Sequence, residues 1–374
     1  MKTYLDKNVY EAALERIAYC FQEFDNVLVA FSGGKDSGVL LNLCYNYADE
    51  HGLLDKLTMY HLDYEAQYQM TTEYVTRTFL EQFPGIRKMW YCVPIKAQSA
   101  CALGEPYWTP WDAAKKKLWV RAMPENPYVV HEGNLDVPFR HGMVDYEFQD
   151  KLSRHFAKKR GTTAVMVGLR ADESLNRYAA VARGKKRRSY EGRKWITQTS
   201  AVTANVYPLY DWRVSDIWTA TARFGFDYNR LYDLLYQAGL TAGQMRVASP
   251  FNDCAQESLK LYKVIDPSNW ARMIGRVNGV NFTGLYGGTT AMGWKTIKLP
   301  PGHTWKSYYE FLLSTMDART AAHYNNILEK SKRYWMQGGT VDPGTADEVL
   351  AAYPLAAVTG KSGRYDGRDI VQFM

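Results

Sequence analysis

The sequence predicts an α/β fold, a parallel sheet with helices on both faces, followed by a mainly helical C-terminal extension. Three observations carry this expectation. Short apolar runs of strand type alternate with helical stretches between about residues 26 and 225. A serine-glycine loop joins the first such run directly to a helix. Beyond Phe224 the strand-type runs thin out and helical spacing takes over.

The elements follow in order. Asn8 and Glu11 have the spacing of a capping box, after which Val9, Ala12, Ala13, Ile17, Phe21 and Phe24 recur at helical intervals. Residues 26–31 (NVLVAF) read as a strand and 38–48 as an apolar helix, stopped by Gly52 after His51. Residues 56–63 (KLTMYHLD) are a second strand, 68–83 a helix and 87–94 (RKMWYCVP) a third strand. The alternation lapses over about 95–144, an irregular insertion rich in Pro, Trp and Gly. It resumes with a helix near 145–160 and a strand at 162–168 (TTAVMVG). Stretches at 196–206 and 207–212 (YPLYDW) then lead to a helix at 215–224. Asp266 before Pro267 is an N-cap and first-turn pair opening a helix to Val277. Further helices span 305–316 and 318–336, the second capped by Asp317 and stopped at Gly338 and Gly339. The expected division is a first domain over 1–225 and a helical second over 226–374.

Composition bounds the function. With 46% hydrophobic and 23% charged residues, the chain is not disordered, collagen-like or a coiled coil. No apolar run reaches the ~18 residues of a membrane span. Asp6, Glu11, Glu15 and Arg16 interrupt the N-terminus where a signal peptide is apolar. The five cysteines stand singly and the seven histidines lack metal-ligand spacing, so neither a zinc site nor an iron–sulfur cluster is expected. Scattered cysteines and the absence of a membrane segment suit a cytoplasmic protein. The formal charge is +7. Most of it is local: Arg183, Lys185, Lys186, Arg187, Arg188, Arg193 and Lys194 are opposed only by Glu191, a patch of +6. This stretch from Arg183 to Lys194 reads as a lid over an anionic ligand, a nucleic-acid contact or a solvated loop. Trp108, Trp111 and Trp119 have the alternatives of stacking bases or packing in the core.

The strongest chemical signal is the run Ser32, Gly33, Gly34, Lys35, Asp36 and Ser37 between a strand and a helix. Paired glycines let the backbone turn tightly against an anion, and the helix N-terminus and serine hydroxyls add donors. It is neither a Walker A loop nor a dinucleotide-binding GxGxxG. These six residues resemble the pyrophosphate loop (PP-loop) of the adenine nucleotide α-hydrolase superfamily. That superfamily contains ATP pyrophosphatases and phosphoadenosine phosphosulfate (PAPS) reductases. Gly168, Leu169 and Arg170, with Ser174 and Arg177 after them, resemble the segment lining the phosphosulfate pocket of PAPS reductases. The YPLYDW run, with Asp216, Ile217 and Trp218, is similar to that family's proline–aspartate–tryptophan motif. Residues about 10–225 carry the resemblance, and the remainder resembles the extension of immunoglobulin-binding-regulator-A-like proteins.

The resemblance implies an adenosine nucleotide, ATP or PAPS-like, with Mg²⁺ accompanying ATP. Ser32, Gly33, Gly34, Asp36, Ser37, Asp63, Gly168 and Ser174 are the binding candidates. Asp63 ends the second strand and has three alternatives: ribose contact, help with Mg²⁺, or starting a loop. Lys35, Arg170 and Arg177 are the catalytic candidates, because guanidinium and ammonium groups offset charge developing on phosphate. Lys35 has the alternative of pointing to solvent. The chain departs from reductases in lacking their C-terminal motif with the nucleophilic cysteine. No cysteine follows Cys254, which has no basic neighbour in sequence and reads as a bystander. The expectation is therefore an enzyme acting at the α-phosphate of ATP without a protein thiol. The rivals are a PAPS-binding transferase or reductase-like enzyme, and a nucleotide-sensing or nucleic-acid-associated protein without catalysis.

Overall fold

Buried apolar strands organise the chain, and the computed structural model describes residues 6–102, 105–182, 189–256, 258–292 and 298–337. They fall in two compact units, Met1–Gly288 and Thr289–Met374. Helix α1 (Val9–Glu23) has the expected capping box, with Asn8 Oδ1 accepting from the N–H groups of Tyr10 and Glu11. There follow β1 (Asn26–Ala30), α2 (Lys35–Glu50), β2 (Leu57–Leu62), α3 (Gln69–Glu81) and β3 (Arg87–Cys92). The insertion holds only short pieces: β4 (Ala97–Gln98), β5 (Tyr107–Trp108) and β6 (Val129–His131). Then come α4 (Asp145–Arg160), β7 (Thr163–Met166), α5 (Leu175–Ala182), β8 (Ser189–Tyr190), β9 (Arg193–Gln198), β10 (Thr203–Val206) and α6 (Val214–Phe224).

The main sheet runs β6-β3-β2-β1-β7-β10-β9-β8 and is parallel from β6 to β10. Alternating side chains of β1 feed two cores. Val27 and Val29 face Ile17, Phe21, Leu40 and Phe79, whereas Leu28 faces Tyr91, Phe148, Leu152 and Val165. The stretch 196–206 holds parts of the antiparallel pair β9 and β10. The turn between them is closed by Ser200, whose Oγ accepts from the N–H groups of Val202 and Thr203. Residues 207–212 are turns.

Helices α7 (Leu231–Gln237), α8 (Tyr262–Ile265), α9 (Pro267–Arg276) and α10 (Val280–Tyr286) belong to the first unit with the sheet. Leu231, Tyr232, Met245, Val247, Phe251 and Tyr262 pack there with Ala66, Tyr68, Trp108 and Val120. The cap of α9 is as expected, Asp266 accepting from Asn269 N–H at 3.3 Å. The second unit contains α11 (Trp305–Ser314), capped by Thr304, and α12 (Ala318–Gln337), where Asp317 Oδ1 accepts from the N–H groups of Arg319 and Thr320. No helix among the described residues is long and apolar enough to cross a membrane.

Candidate nucleotide site

Strand order locates the site. From β1 the chain moves outward through β2 and β3 on one side, and it returns through β7 and β10 on the other. The carboxyl ends of β1 and β7 therefore flank the topological switch point, where open α/β sheets form their ligand crevice. The loop of residues 32–37 leaves β1 there, and Gly168 follows β7 there.

The loop is held by its own serines. Ser37 Oγ donates to Gly34 O at 3.0 Å and accepts from Ser32 N–H at 3.1 Å, while the two hydroxyls lie 3.0 Å apart. Gly33 turns with φ +75°, and a Cβ there would come within 2.9 Å of Val75. Helix α2 starts at Lys35, so Lys35, Asp36 and Ser37 form its first turn. Among the described residues, the N–H groups of Asp36 and Ser37 donate to no protein acceptor. Two free donors at the positive end of a 16-residue helix are the groups an anion would need there.

Gly168 closes the other wall. A Cβ there would sit 2.9 Å from Asp36 C and Ser37 N, both backbone atoms, so only glycine lets the two segments meet. Two residues on, Arg170 is 3% exposed and donates through Nε to Asp36 and through Nη1 to Asp172. Lys35 does not point to solvent. It is 8% exposed, its Nζ donating to Asp36 Oδ2 at 3.0 Å and lying 5.3 Å from the centre of the Tyr232 ring. Arg177 is more open and pairs with Glu173 at 2.9 Å, while Ser174 Oγ accepts from Arg177 N–H. Lys35, Asp36, Gly168 and Arg170 thus converge, with Arg177 and Ser174 at the rim.

Asp63 is engaged differently. It is fully buried, and Arg121 Nη2 donates to both its oxygens at 2.6 and 2.5 Å. Trp90 Nε1–H and Glu65 N–H donate to it as well, at 2.7 and 2.8 Å. Burial alone would raise this carboxyl, but Arg121 and His61 beside it hold it below the usual carboxylate range. Glu65 ties the same loop to Trp111 N–H, Val120 N–H and Arg276, which fixes the insertion over the sheet edge. Beyond the ends of β3 and β6 a cleft of 1110 Å³ opens, lined by Trp119, Lys116, Arg121 and Arg272 among others. Trp108 and Trp111 are buried in the packing.

His61 is also fully buried, its Nδ1 2.8 Å from Phe31 O, and burial lowers its pKa. The sign follows directly. An unfolded chain protonates this imidazole near pH ~6.5 while the folded one resists, so stability is full above that pH and falls below it. Asp63 adds a contribution that is lost only at lower pH, as its depressed folded value is passed. Urea midpoints should therefore drop between pH 7 and 5, and His61→Gln should flatten that part of the profile.

The site also draws on residues the sequence motifs do not reach. Tyr232 Oη accepts from Lys35 N–H at 3.2 Å, Asn229 Nδ2 donates to Gly33 O at 3.2 Å, and Arg246 donates to Glu173. No sequence motif singles out Tyr232, Asn229 or Arg246. Of the basic patch, Arg183, Lys185, Lys186, Arg187 and Arg188 lie outside the described residues. Arg193 pairs with Glu191 at 2.7 Å and stacks on Tyr19, so its charge is partly used within the fold. Cys20, Cys44, Cys92 and Cys101 are buried, and burial pushes all four thiols up, away from thiolate character. The side chain of Cys254 lies outside the described set.

Known proteins place the chain. The phosphoadenosine phosphosulfate reductase domain matches residues 26–238, and a domain of unknown function (DUF3440) matches residues 239–374. The uncharacterized protein YbdN of Escherichia coli (strain K12) is 34% identical over 353 residues, covering 93% of this chain and 85% of that protein. Among solved structures, the PAPS reductase of Candida auris aligns over 62% of this chain and 93% of its own, at 15% identity and TM-score 0.35. The FMN adenylyltransferase of Candida glabrata aligns over 62% and 64%, at 14% identity and TM-score 0.35. A PP-loop at the switch point and a family match across the whole sheet agree: this chain belongs to the phosphoadenosine phosphosulfate reductase domain family.

Proposed function

We propose that the chain is an adenosine-nucleotide enzyme that cleaves or transfers at the α-phosphate without a protein thiol. The observation that carries this reading is the meeting of α2's open N-terminus with Gly168 and Arg170 at the switch point. In the proposed reaction an acceptor oxygen attacks the α-phosphorus of ATP and loses its proton to solvent water. The bond from the α-phosphorus to the bridging oxygen breaks, and pyrophosphate leaves with the electron pair. The loop's free N–H groups would hold the departing phosphates. Lys35, Arg170 and Arg177 would offset the charge that develops on them. The sugar and base would lie across the ends of β1 and β2, with the acceptor entering from the cleft beside Arg121.

The carboxylates near the loop do not fit a resident metal. Asp36 is taken up by Lys35 and Arg170, and Asp63 by Arg121, Trp90 and Glu65. Among the described residues no group of three potential ligands forms. Mg²⁺ belongs to this scheme as part of a magnesium–ATP substrate, and no step depends on a protein-held ion.

A thiol-free mechanism makes a direct prediction. Cys254→Ala should retain the nucleotide affinity and the pyrophosphate release of the parent chain. Loss of turnover with affinity intact would return the chemistry to a thiol. The reading as a whole is tested by calorimetry with ATP and with PAPS, followed by pyrophosphate release across candidate acceptors. ATP binding with acceptor-dependent pyrophosphate supports it. Tight PAPS binding with none for ATP replaces it with a PAPS-binding transferase.

A further inference from the structure

Residues beyond the sheet reach back over the phosphate loop. Tyr232 on α7 is 4% exposed, with its hydroxyl accepting from Lys35 N–H in the first turn of α2. Among the described residues that hydroxyl has no acceptor for its own proton. Asn229 Nδ2, which also bonds Thr71 Oγ1 at 2.9 Å, anchors the start of α7 to Gly33 O. Residues 244–251 run alongside. A Cβ on Gly34 would lie 3.3 Å from Tyr232 Oη and 3.5 Å from Val247 Cγ2.

Arg246 precedes Val247 and bonds Glu173, the carboxylate that also takes Arg177. Its neighbour Val247 packs against Gly34, which brings the chain at Arg246 alongside the start of α2. Four cations, Lys35, Arg170, Arg177 and Arg246, therefore meet three carboxylates, Asp36, Asp172 and Glu173. The open N–H groups of the α2 N-terminus stand beside this cluster. Glu173, shared by two arginines, can release one of them to a phosphate oxygen and keep the other.

We propose that Arg246 and the Tyr232 hydroxyl are anion-binding groups of the nucleotide site, so that the segment after the sheet completes it. This rests on the nucleotide reading above and deepens it. Arg246 takes a phosphate oxygen at the rim, and Tyr232 donates its proton to an oxygen held at the α2 N-terminus. Four cations fit a polyphosphate, or a nucleotide carrying two separate phosphates, better than a monophosphate.

The test is calorimetry of the full chain with ATP, ADP, AMP, adenosine 3′,5′-bisphosphate and adenosine. Arg246→Gln should weaken ATP about tenfold or more, the range for one charge-assisted contact, and leave adenosine unchanged. Tyr232→Phe keeps the ring and should lose about threefold to tenfold on the phosphorylated ligands. Arg246→Lys retains a charge and should fall between the parent and Arg246→Gln, which guards against a folding defect. The double variant Arg246→Gln with Glu173→Gln separates direct contact from mere neutralisation of Glu173. It should stay weak; recovery of parental ATP affinity would overturn the contact. Parental ATP affinity in Arg246→Gln and Tyr232→Phe overturns this inference alone. A parent chain that binds no nucleotide overturns it together with the reading it rests on.

Discussion

Asp63→Asn is expected to destabilise the first unit by about 3–5 kcal/mol, the cost of leaving one partner of a buried ion pair alone. Arg121 Nη2 binds both carboxylate oxygens, and the pair's side chains are 9% and 0% exposed. Asparagine keeps the shape but removes the charge, so Arg121 would remain buried without compensation. Asparagine offers a single acceptor oxygen, so either Trp90 Nε1–H or Glu65 N–H would face its NH2 group and lose its bond. The double variant Asp63→Asn with Arg121→Met should recover much of the loss, because an apolar side chain replaces the stranded charge. Urea unfolding of the three chains decides this. A change under about 1 kcal/mol in the single variant would mean that Asp63 is not the anchor of the insertion.

Gly168→Ala is expected to cost at least tenfold in nucleotide affinity and about 1–3 kcal/mol in stability. The added methyl meets the backbone of Asp36 and Ser37 at 2.9 Å, where no side chain can swing away. Relief requires either α2 or the segment after β7 to retreat, which separates Arg170 from the loop. Gly275→Ala is the matched control. It lies on the exposed side of α9, its added Cβ meets nothing within 4 Å, and alanine suits a helix better. That variant should be neutral or stabilising by up to about 1 kcal/mol, with unchanged affinity. Equal behaviour of the two would remove the close approach from the explanation.

Both predictions concern contacts that differ in how visible they are in sequence. The serine-glycine loop is legible because its geometry is local: a strand, two glycines, two serines and a helix, all between Asn26 and Glu50. Gly168 and Arg170 are legible as the end of a strand, though the reason for the glycine is a contact with Asp36 and Ser37 across the sheet. Asp63 was legible only as a strand terminus. Its partner Arg121 lies 58 residues away in an insertion without periodic pattern, so the ion pair leaves no sequence signature. Tyr232 meets Lys35 across 197 residues by the packing of α7 onto the loop, and no spacing rule announces that. The division of the stretch 196–206 is not visible in sequence either. That stretch contains two strands' worth of β-type residues, and the turn depends on one serine hydroxyl. The boundary after residue 225 likewise follows periodicity, whereas the packing of Leu231, Val247 and Phe251 puts residues up to Gly288 in the same unit as the sheet.

The central claim is that the α2 N-terminus and its arginines hold nucleotide phosphates. The decisive measurement is calorimetric titration of the unaltered chain with ATP, ADP, AMP and adenosine at two or more ionic strengths. One site per chain is expected, with affinity falling stepwise as phosphates are removed and weakening as salt is raised. Equal affinity for ATP and adenosine, or no binding with residues 32–37 intact, would contradict it.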